Sequence, residues 1–324
     1  MDRFVLIDGN AILHRAYHAL PPFTTSKGEP VGAVFGFTSM LLKVLSDLKP
    51  THIAVAFDRA APTFRQELFV GYQAGRPAME DELVSQVEGV HKVVEALEIP
   101  IFEVDGYEAD DVIGTLAAQA AKSEVRSQKC EVIIVSGDRD LLQLVNSHVK
   151  VYMPVKGLSE AKMYGGEEVR EKYGLEPSQV VDMKALMGDA SDQYPGVRGI
   201  GPKTASELLK KYQTLENLYE HLSELPERIG KALAEGTESA GLAKKLATIV
   251  TNVPIRLKLD ECRFHIKDKK KAVDTLQSFE FRTLPMRLME LLEGKPVAVG
   301  PKQKSTLKIA PKKKEPDLDQ LRLV

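Results

Sequence analysis

A chain of 324 residues, 43% hydrophobic and 28% charged, has room for about two domains of ~150 residues, each with its own core. No apolar run reaches the ~18 residues of a membrane span, and two distant cysteines, Cys130 and Cys262, fit reduced thiols and not a structural zinc site. The net charge of −2 is compatible with an acidic site beside a separate basic surface.

The N-terminus, "MDRFVLIDGN", enters a strand-like run at once with no charged-then-apolar leader, so the cytoplasm is the expected compartment. Short apolar runs of β-branched character follow in "HIAVAFD", "IPIFEVDG", "EVIIVSGD" and "VKVYMP", with helical periodicity between them over 34–48, 80–97 and 110–122. That alternation predicts an α/β domain with a mostly parallel sheet. Beyond about residue 166 helical patterns take over, as in "PSQVVDMKALMG" and "KTASELLKKY". From about 294 periodicity is lost in a run rich in Lys and Pro, which reads as a disordered tail. The expected division is a core over 1–175, a helical unit over 176–293 and a tail over 294–324.

The stretch "GYEADDVIGTLA" crowds Glu108, Asp110 and Asp111 against the apolar start of a helix. A helix N-terminus attracts one or two acids through its dipole. Three that repel one another call for a proton or a cation, and in a regular helix Asp110 is turned about 100° from Asp111, so all three converge only if the helix begins there. Other segments supply partners. Asp8 ends "FVLID", Asp58 ends "IAVAFD", Asp138 and Asp140 follow "EVIIVSGDRD", and "MGDASDQ" adds Asp189 and Asp192. Singly each reads as a cap or turn former. Together they fall where open α/β sheets bind ligands, outside the carboxyl ends of strands. Nine acids without a nearby His or Cys cluster point to Mg²⁺, with Mn²⁺ as a substitute. They exceed the needs of one ion, so two or more ions are expected, with phosphodiester hydrolysis as the chemistry.

The segment "PGVRGIGPKTASELLKKY" resembles a phosphate-binding P-loop, but Pro202 separates Gly201 from Lys203 and no strand precedes it. It reads instead as a Gly-rich turn between helices whose N–H groups hold a phosphate without reading sequence. Lys203, Lys210 and Lys211 suit a polyanion's backbone.

The ordered set "LIDGN", "AFD", "GYEADDVIGTLA", "SGDRDLLQLV" and "LMGDASDQYPGVRGIGPKTA" closely resembles the 5′ nucleases of the flap endonuclease family. The likeness, over roughly residues 1–290, is greatest to the 5′→3′ exonuclease domain at the N-terminus of bacterial DNA polymerase I. It implies a PIN-like core with a helical arch, then a helical domain with a helix-three-turn-helix (H3TH) element that grips duplex DNA. By position it implies that Asp8, Asp58, Glu108, Asp110, Asp111, Asp138, Asp140, Asp189 and Asp192 surround the metal ions and that Arg76 is the arch arginine. Arg65, Tyr72, Arg76, Gly199, Gly201, Lys203 and Thr204 are expected at the DNA. The implied substrates are 5′ flaps and single/double-strand junctions, including RNA-primed 5′ strands, cut by a monomer near the nucleoid and away from membranes.

Two stretches depart from the family's pattern. Gln73 stands where a lysine usually follows the arch tyrosine and has no charge to offer, and Gln193-Tyr194 replaces the usual Asn-Ile. Tyr17 and Tyr72 are candidates to stack on a displaced base. The ending "DQLRLV", through Gln320, Leu321 and Leu323, resembles peptides that dock on the bacterial sliding clamp. Alternative readings are a non-catalytic junction binder, disfavoured by nine acids facing phosphates, and an RNA-directed PIN nuclease, disfavoured by the duplex grip.

Overall fold

A computed structural model describes residues 2–125, 128–156 and 160–294; the tail and its Gln320, Leu321 and Leu323 lie outside them. The strands are β1 (Arg3–Asp8), β2 (His52–Ala56), β3 (Ile101–Phe102), the hairpin arms β4 (Glu124–Val125) and β5 (Gln128–Lys129), β6 (Glu131–Val135), β7 (Val149–Lys156) and β8 (Glu160–Tyr164). Six of them form one sheet in the order β3-β2-β1-β6-β7-β8. All its pairs are parallel except β7 with β8. The antiparallel edge strand β8 was not expected: "EAKMY" carries no β-branched residue and alternates between exposed and partly buried positions. A hairpin with β7 is enough to hold it there.

Residues along each strand alternate between the faces of the sheet. Val5, Ile7, Ile53, Val55, Ile133 and Val135 pack on α2 (Gly32–Leu48) and α4 (Asp81–Ala96). Phe4, Leu6, Ala54, Ala56, Val132 and Ile134 pack on α5 (Ala109–Lys122). With both faces covered these strands read as continuous apolar runs. Chain direction reverses across β1, whose neighbours β2 and β6 lead away on opposite sides, so the crevice of a switch point opens at its carboxyl end. Helix α1 (Gly9–Ala19) starts there, capped by Asp8, whose Oδ1 accepts from Ala11 N at 2.9 Å.

Next along the chain come α3 (Phe64–Leu68) in the arch segment, α6 (Gly166–Tyr173), α7 (Val180–Met187), α8 (Pro202–Tyr212), α9 (Leu215–Glu220), α10 (Glu227–Glu235) and α11 (Thr237–Ala247). A separate core built on Leu186, Val197, Ile200, Leu209, Leu218 and Leu233 unites α7–α10. The last two helices, α12 (Lys269–Ser278) and α13 (Thr283–Leu292), do not join it. Their Ala272, Leu276, Phe281, Leu284 and Leu288 pack with α2 and α4 in the first core, so packing splits the helical unit expected over 176–293. The arch also differs from expectation: it is helical only over Phe64–Leu68 and continues as turns. Gly71, Gly75 and Pro77 within seven residues account for this.

Candidate metal and nucleic-acid site

Each acidic segment arrives on a different element. Asp8 ends β1, 4% exposed, and its Oδ2 accepts from Ser136 Oγ at 2.6 Å. The same hydroxyl accepts from Asp138 N at 2.9 Å, so Ser136 links the ends of β1 and β6. Asp58 lies two residues beyond β2, its own N–H donating to Asn10 Oδ1 at 2.9 Å and its Oδ1 accepting from Ala109 N at 2.6 Å. Helix α5 therefore begins at Ala109, docked on Asp58 with Glu108 at its N-cap. From its first turn Asp110 comes within electrostatic reach of Asp138, Asp8, Asp58 and Glu108.

Asp111 turns the other way. It is fully buried and accepts from Arg65 Nη1 at 2.6 Å, Arg65 Nη2 at 2.8 Å, Val250 N at 3.0 Å and Glu108 N at 3.2 Å. Expected to face a metal, it instead spends its oxygens on an internal ion pair. Arg65, expected at the DNA, is 2% exposed. Its remaining donors reach Leu246 O at 2.8 Å, Thr248 O at 2.9 Å and Glu108 Oε2 at 3.1 Å. One guanidinium thus ties the arch base, the start of α5 and the exit of α11, and it has no surface left for a phosphate. Tyr72, expected to stack on a base, is 4% exposed; its hydroxyl donates to Glu108 Oε2 at 3.2 Å. Tyr17 donates to Glu80 Oε2 at 2.5 Å, joining α1 to the chain before α4.

Asp140, Asp189 and Asp192 are the one group of three, among the described residues, whose carboxylate oxygens lie within 4.8 Å of one another. The nine acids therefore do not form a single cage at ligand distance: one tight trio lies beside a looser set of Asp8, Asp58, Glu108, Asp110 and Asp138. Asp138 connects them, because its Oδ1 accepts from Asp140 N at 2.8 Å. Asp189 and Asp192 are set by a two-residue ladder between β9 (Gly188–Asp189) and β10 (Tyr194–Pro195). Here Gly196 is required by contact, since a Cβ on it would fall 2.2 Å from Gly188 N. Sequence reasoning passed over Lys184, whose Nζ pairs with both Asp140 and Asp189. The available signal was a lone cation in "VVDMKALM", where partial burial demands an acidic partner. Arg76 Nη2 donates to Asp192 Oδ1 at 2.6 Å from a half-exposed side chain.

Burial dominates the electrostatics and pushes Asp8, Glu108 and Asp140 up to about 7. Around Asp8 the Ser136 and Ala11 bonds oppose this while Asp58 and Asp138 add to it. Arg65 opposes it at Glu108, and Lys184 at Asp140. Asp110 is raised well above its usual range by burial and by four neighbouring acids. Asp58 and Asp192 rise by burial, against Arg76. At Asp189 burial is outweighed by Lys184 and Ser191, and the carboxyl is held low. Asp8, Asp58, Glu108 and Asp110, an all-oxygen set driven toward protonation by burial, fit a hard divalent cation, whereas at the trio Lys184 and Arg76 already supply positive charge.

The hairpin after β10 presents Arg198, Gly199, Gly201 and Lys203 to solvent, with Thr204 half-buried. Val197 and Ile200 anchor it in the core of α7–α10. Gly199 has φ of +87°, a conformation glycine adopts without a Cβ clash. Of the expected DNA contacts, Gly199, Gly201, Lys203, Thr204 and Arg76 remain accessible.

A mostly parallel sheet with acids at its switch point, joined to a helical unit with an exposed cationic hairpin, has the groups to hold a hard cation beside a polyanion. The chain belongs to the 5′–3′ exonuclease family: residues 3–174 match the 5′-3′ exonuclease, N-terminal resolvase-like domain, and residues 175–270 match the 5′-3′ exonuclease, C-terminal SAM fold. It is similar to DNA polymerase I of Bacillus caldotenax, 43% identical over 299 residues that cover 91% of this chain and 34% of that protein. Against DNA polymerase I of Chloroflexus aurantiacus it is 45% identical over 282 residues, 86% of this chain and 29% of the relative. The chain thus spans about a third of the length of these relatives. In fold it resembles the T5 D15 protein co-crystallized with metal ions, with a TM-score of 0.62 at 17% identity, covering 90% of this chain and 98% of that one. It also resembles the catalytic core of Rad2 in complex with DNA substrate, with a TM-score of 0.56 at 15% identity, covering 90% and 91%.

Proposed function

We propose that the chain is a divalent-metal-dependent, structure-specific 5′ nuclease, using Mg²⁺ with Mn²⁺ as a substitute, that cuts near single/double-strand junctions and 5′ flaps in DNA replication and repair. The observation that carries the reading is the meeting of Asp8, Asp58, Glu108, Asp110 and Asp138 at the switch point beside the tight trio of Asp140, Asp189 and Asp192. The metal-bound and DNA-bound states named for the T5 and Rad2 proteins agree with it.

In this reading the eight acids other than Asp111 hold two or more ions, some through water. When bound, such ions activate water and neutralise charge at the scissile phosphate and the leaving oxygen. The chain's own residues do the positioning. Ser136 and Ala11 N–H orient the Asp8 carboxylate, Arg65 and Tyr72 hold Glu108, and the α5 N-terminus is pinned on Asp58. Lys184 neutralises part of the trio as a tethered cation, and Arg76 adds positive charge at the rim. The exposed 198–204 hairpin takes duplex backbone, with residues 3–174 as the nuclease domain and 175–270 as the DNA-gripping one.

The test is a 5′-labelled flap duplex and its matching single strand, incubated with Mg²⁺ or EDTA. Mg²⁺-dependent release near the junction, with little cutting of the single strand, is expected. Binding without cleavage in Mg²⁺ and Mn²⁺ would refute the proposal. The clamp reading of Gln320, Leu321 and Leu323 rests on sequence; clamp binding unchanged by deletion of residues 319–324 would remove it.

A further inference from the structure

The arch segment is fastened to the loop that carries Asp192. Gln73 Nε2 donates to Asp192 Oδ1 at 3.0 Å, beside Arg76, and Gln73 N donates to the Asp192 carbonyl at 2.9 Å. One residue on, Gln193 reaches back, its Oε1 accepting from Gly75 N at 2.5 Å. Tyr194 lies parallel to Tyr72 with ring centroids 6.3 Å apart. Residues 73, 75 and 76 thus all donate to Asp192 or Gln193, while Tyr72 packs on Tyr194. Both glutamines have positive φ, 55° at Gln73 and 60° at Gln193, a left-handed conformation that non-glycine residues adopt rarely and that persists where surrounding contacts hold it. The fit is close, because a Cβ on Gly75 would fall 2.3 Å from Gln193 Nε2.

Asp192 is also a member of the trio with Asp140 and Asp189. Hydrogen-bond partners that orient a ligating carboxylate are typically worth about 10–100-fold in ion affinity. Here those partners come from the arch, so the contacts that aim Asp192 also hold the arch down. A neutral amide is well matched to this position: Arg76 beside the same oxygen repels an arriving cation, whereas Gln73 orients the carboxylate without competing charge.

We propose that Gln73 and Gln193 are positioning residues that couple closure of the 72–76 segment to occupancy of a divalent ion at Asp140, Asp189 and Asp192. This deepens the metal-dependent reading above and rests on it. Linkage makes the coupling reciprocal: the factor by which the docked arch tightens ion binding equals the factor by which the ion favours the docked arch. A lysine at 73 would instead offer Asp192 a tethered cation, so Gln73→Lys weakens this ion site.

The experiment combines Mn²⁺ titration of the full chain, followed by the electron paramagnetic resonance signal of free Mn²⁺, with amide exchange of peptides covering residues 69–76. The wild type is expected to bind at least two ions, and Mn²⁺ to slow exchange at the Gln73 and Gly75 amides. Gln73→Ala and Gln193→Ala each weaken one ion about tenfold, leave the other unchanged and lose most of the slowing, with melting temperature unaltered. Gln193→Glu, which keeps an acceptor for Gly75 N–H, restores the slowing. Variants that bind every ion as the wild type does, or exchange over 69–76 that ignores bound Mn²⁺, overturn the coupling and leave the metal reading standing. A wild type that binds no Mn²⁺ overturns both.

Discussion

Removal of the Arg65 side chain is the sharpest perturbation the structure offers. All five guanidinium N–H groups are used: two on Asp111, one on Glu108, and one each on the carbonyls of Leu246 and Thr248. Arg65→Ala deletes these bonds and leaves the Asp111 carboxylate, with no exposed surface, on two backbone N–H groups alone. Breaking a buried pair in this way costs about 3–5 kcal/mol. At roughly 2–4 °C per kcal/mol for a domain of about 150–250 residues, the melting temperature falls by on the order of 10 °C. Arg65→Met with Asp111→Leu removes both charges and recovers most of that loss. Glu108 still lacks the charge that opposed its burial, takes up a proton more readily and binds Mn²⁺ more weakly. The assay is urea unfolding in EDTA for the three proteins, then Mn²⁺ titration of the double variant. A loss below about 1 kcal/mol for Arg65→Ala, or a double variant as unstable as the single one, would refute the reasoning.

Burial holds Asp110 well above the usual carboxylate range, so Asp110→Asn should stabilise the metal-free chain at pH 8 while lowering Mg²⁺-dependent cleavage more than about 100-fold; equal stability in EDTA would contradict this. Asp8, Glu108 and Asp140 sit near 7 when folded and titrate near 4 when unfolded, so the metal-free folded state binds the extra protons between those values. Their contribution to stability is therefore lost as pH rises from about 4 to 7. Because ions displace the same protons, the stabilisation by saturating Mn²⁺, read as a shift in urea midpoint, should grow from pH 5 to pH 8. A pH-independent shift would count against it. Lys203→Ala should reduce the salt dependence of duplex binding by about 0.9 in log–log slope, and an unaltered slope would remove Lys203 from the interface. Gly196→Ala drives a Cβ into the Gly188 backbone and should cost cleavage by displacing Asp189; undiminished activity would show that the ladder yields.

The sequence by itself determined the local chemistry. Apolar runs alternating with helical periods specify a sheet covered on both faces, because such strands bury every side chain. Acids at the ends of those runs, and at the first turn of α5, announce the site because strand ends and helix starts lie at one edge of this architecture. The Gly-rich turn between helices was legible too, because Gly199, Gly201 and the Pro202 that opens α8 lie within four residues of one another.

Only the tertiary structure decided which neighbour each acid meets. Asp110 and Asp111 are adjacent in sequence, yet one faces four acids and the other an arginine 46 residues upstream. Their divergence follows from a helix starting at Ala109 and about 100° of rotation per residue. Arg65 and Tyr72 read as surface groups until burial beside Glu108 made them internal supports. Lys184 gained its role from Asp140, 44 residues away, and α12 and α13 returned to a core begun by α2. Each of these is a long-range pairing of charge or apolar surface, which local periodicity does not encode because it depends on how the whole chain closes.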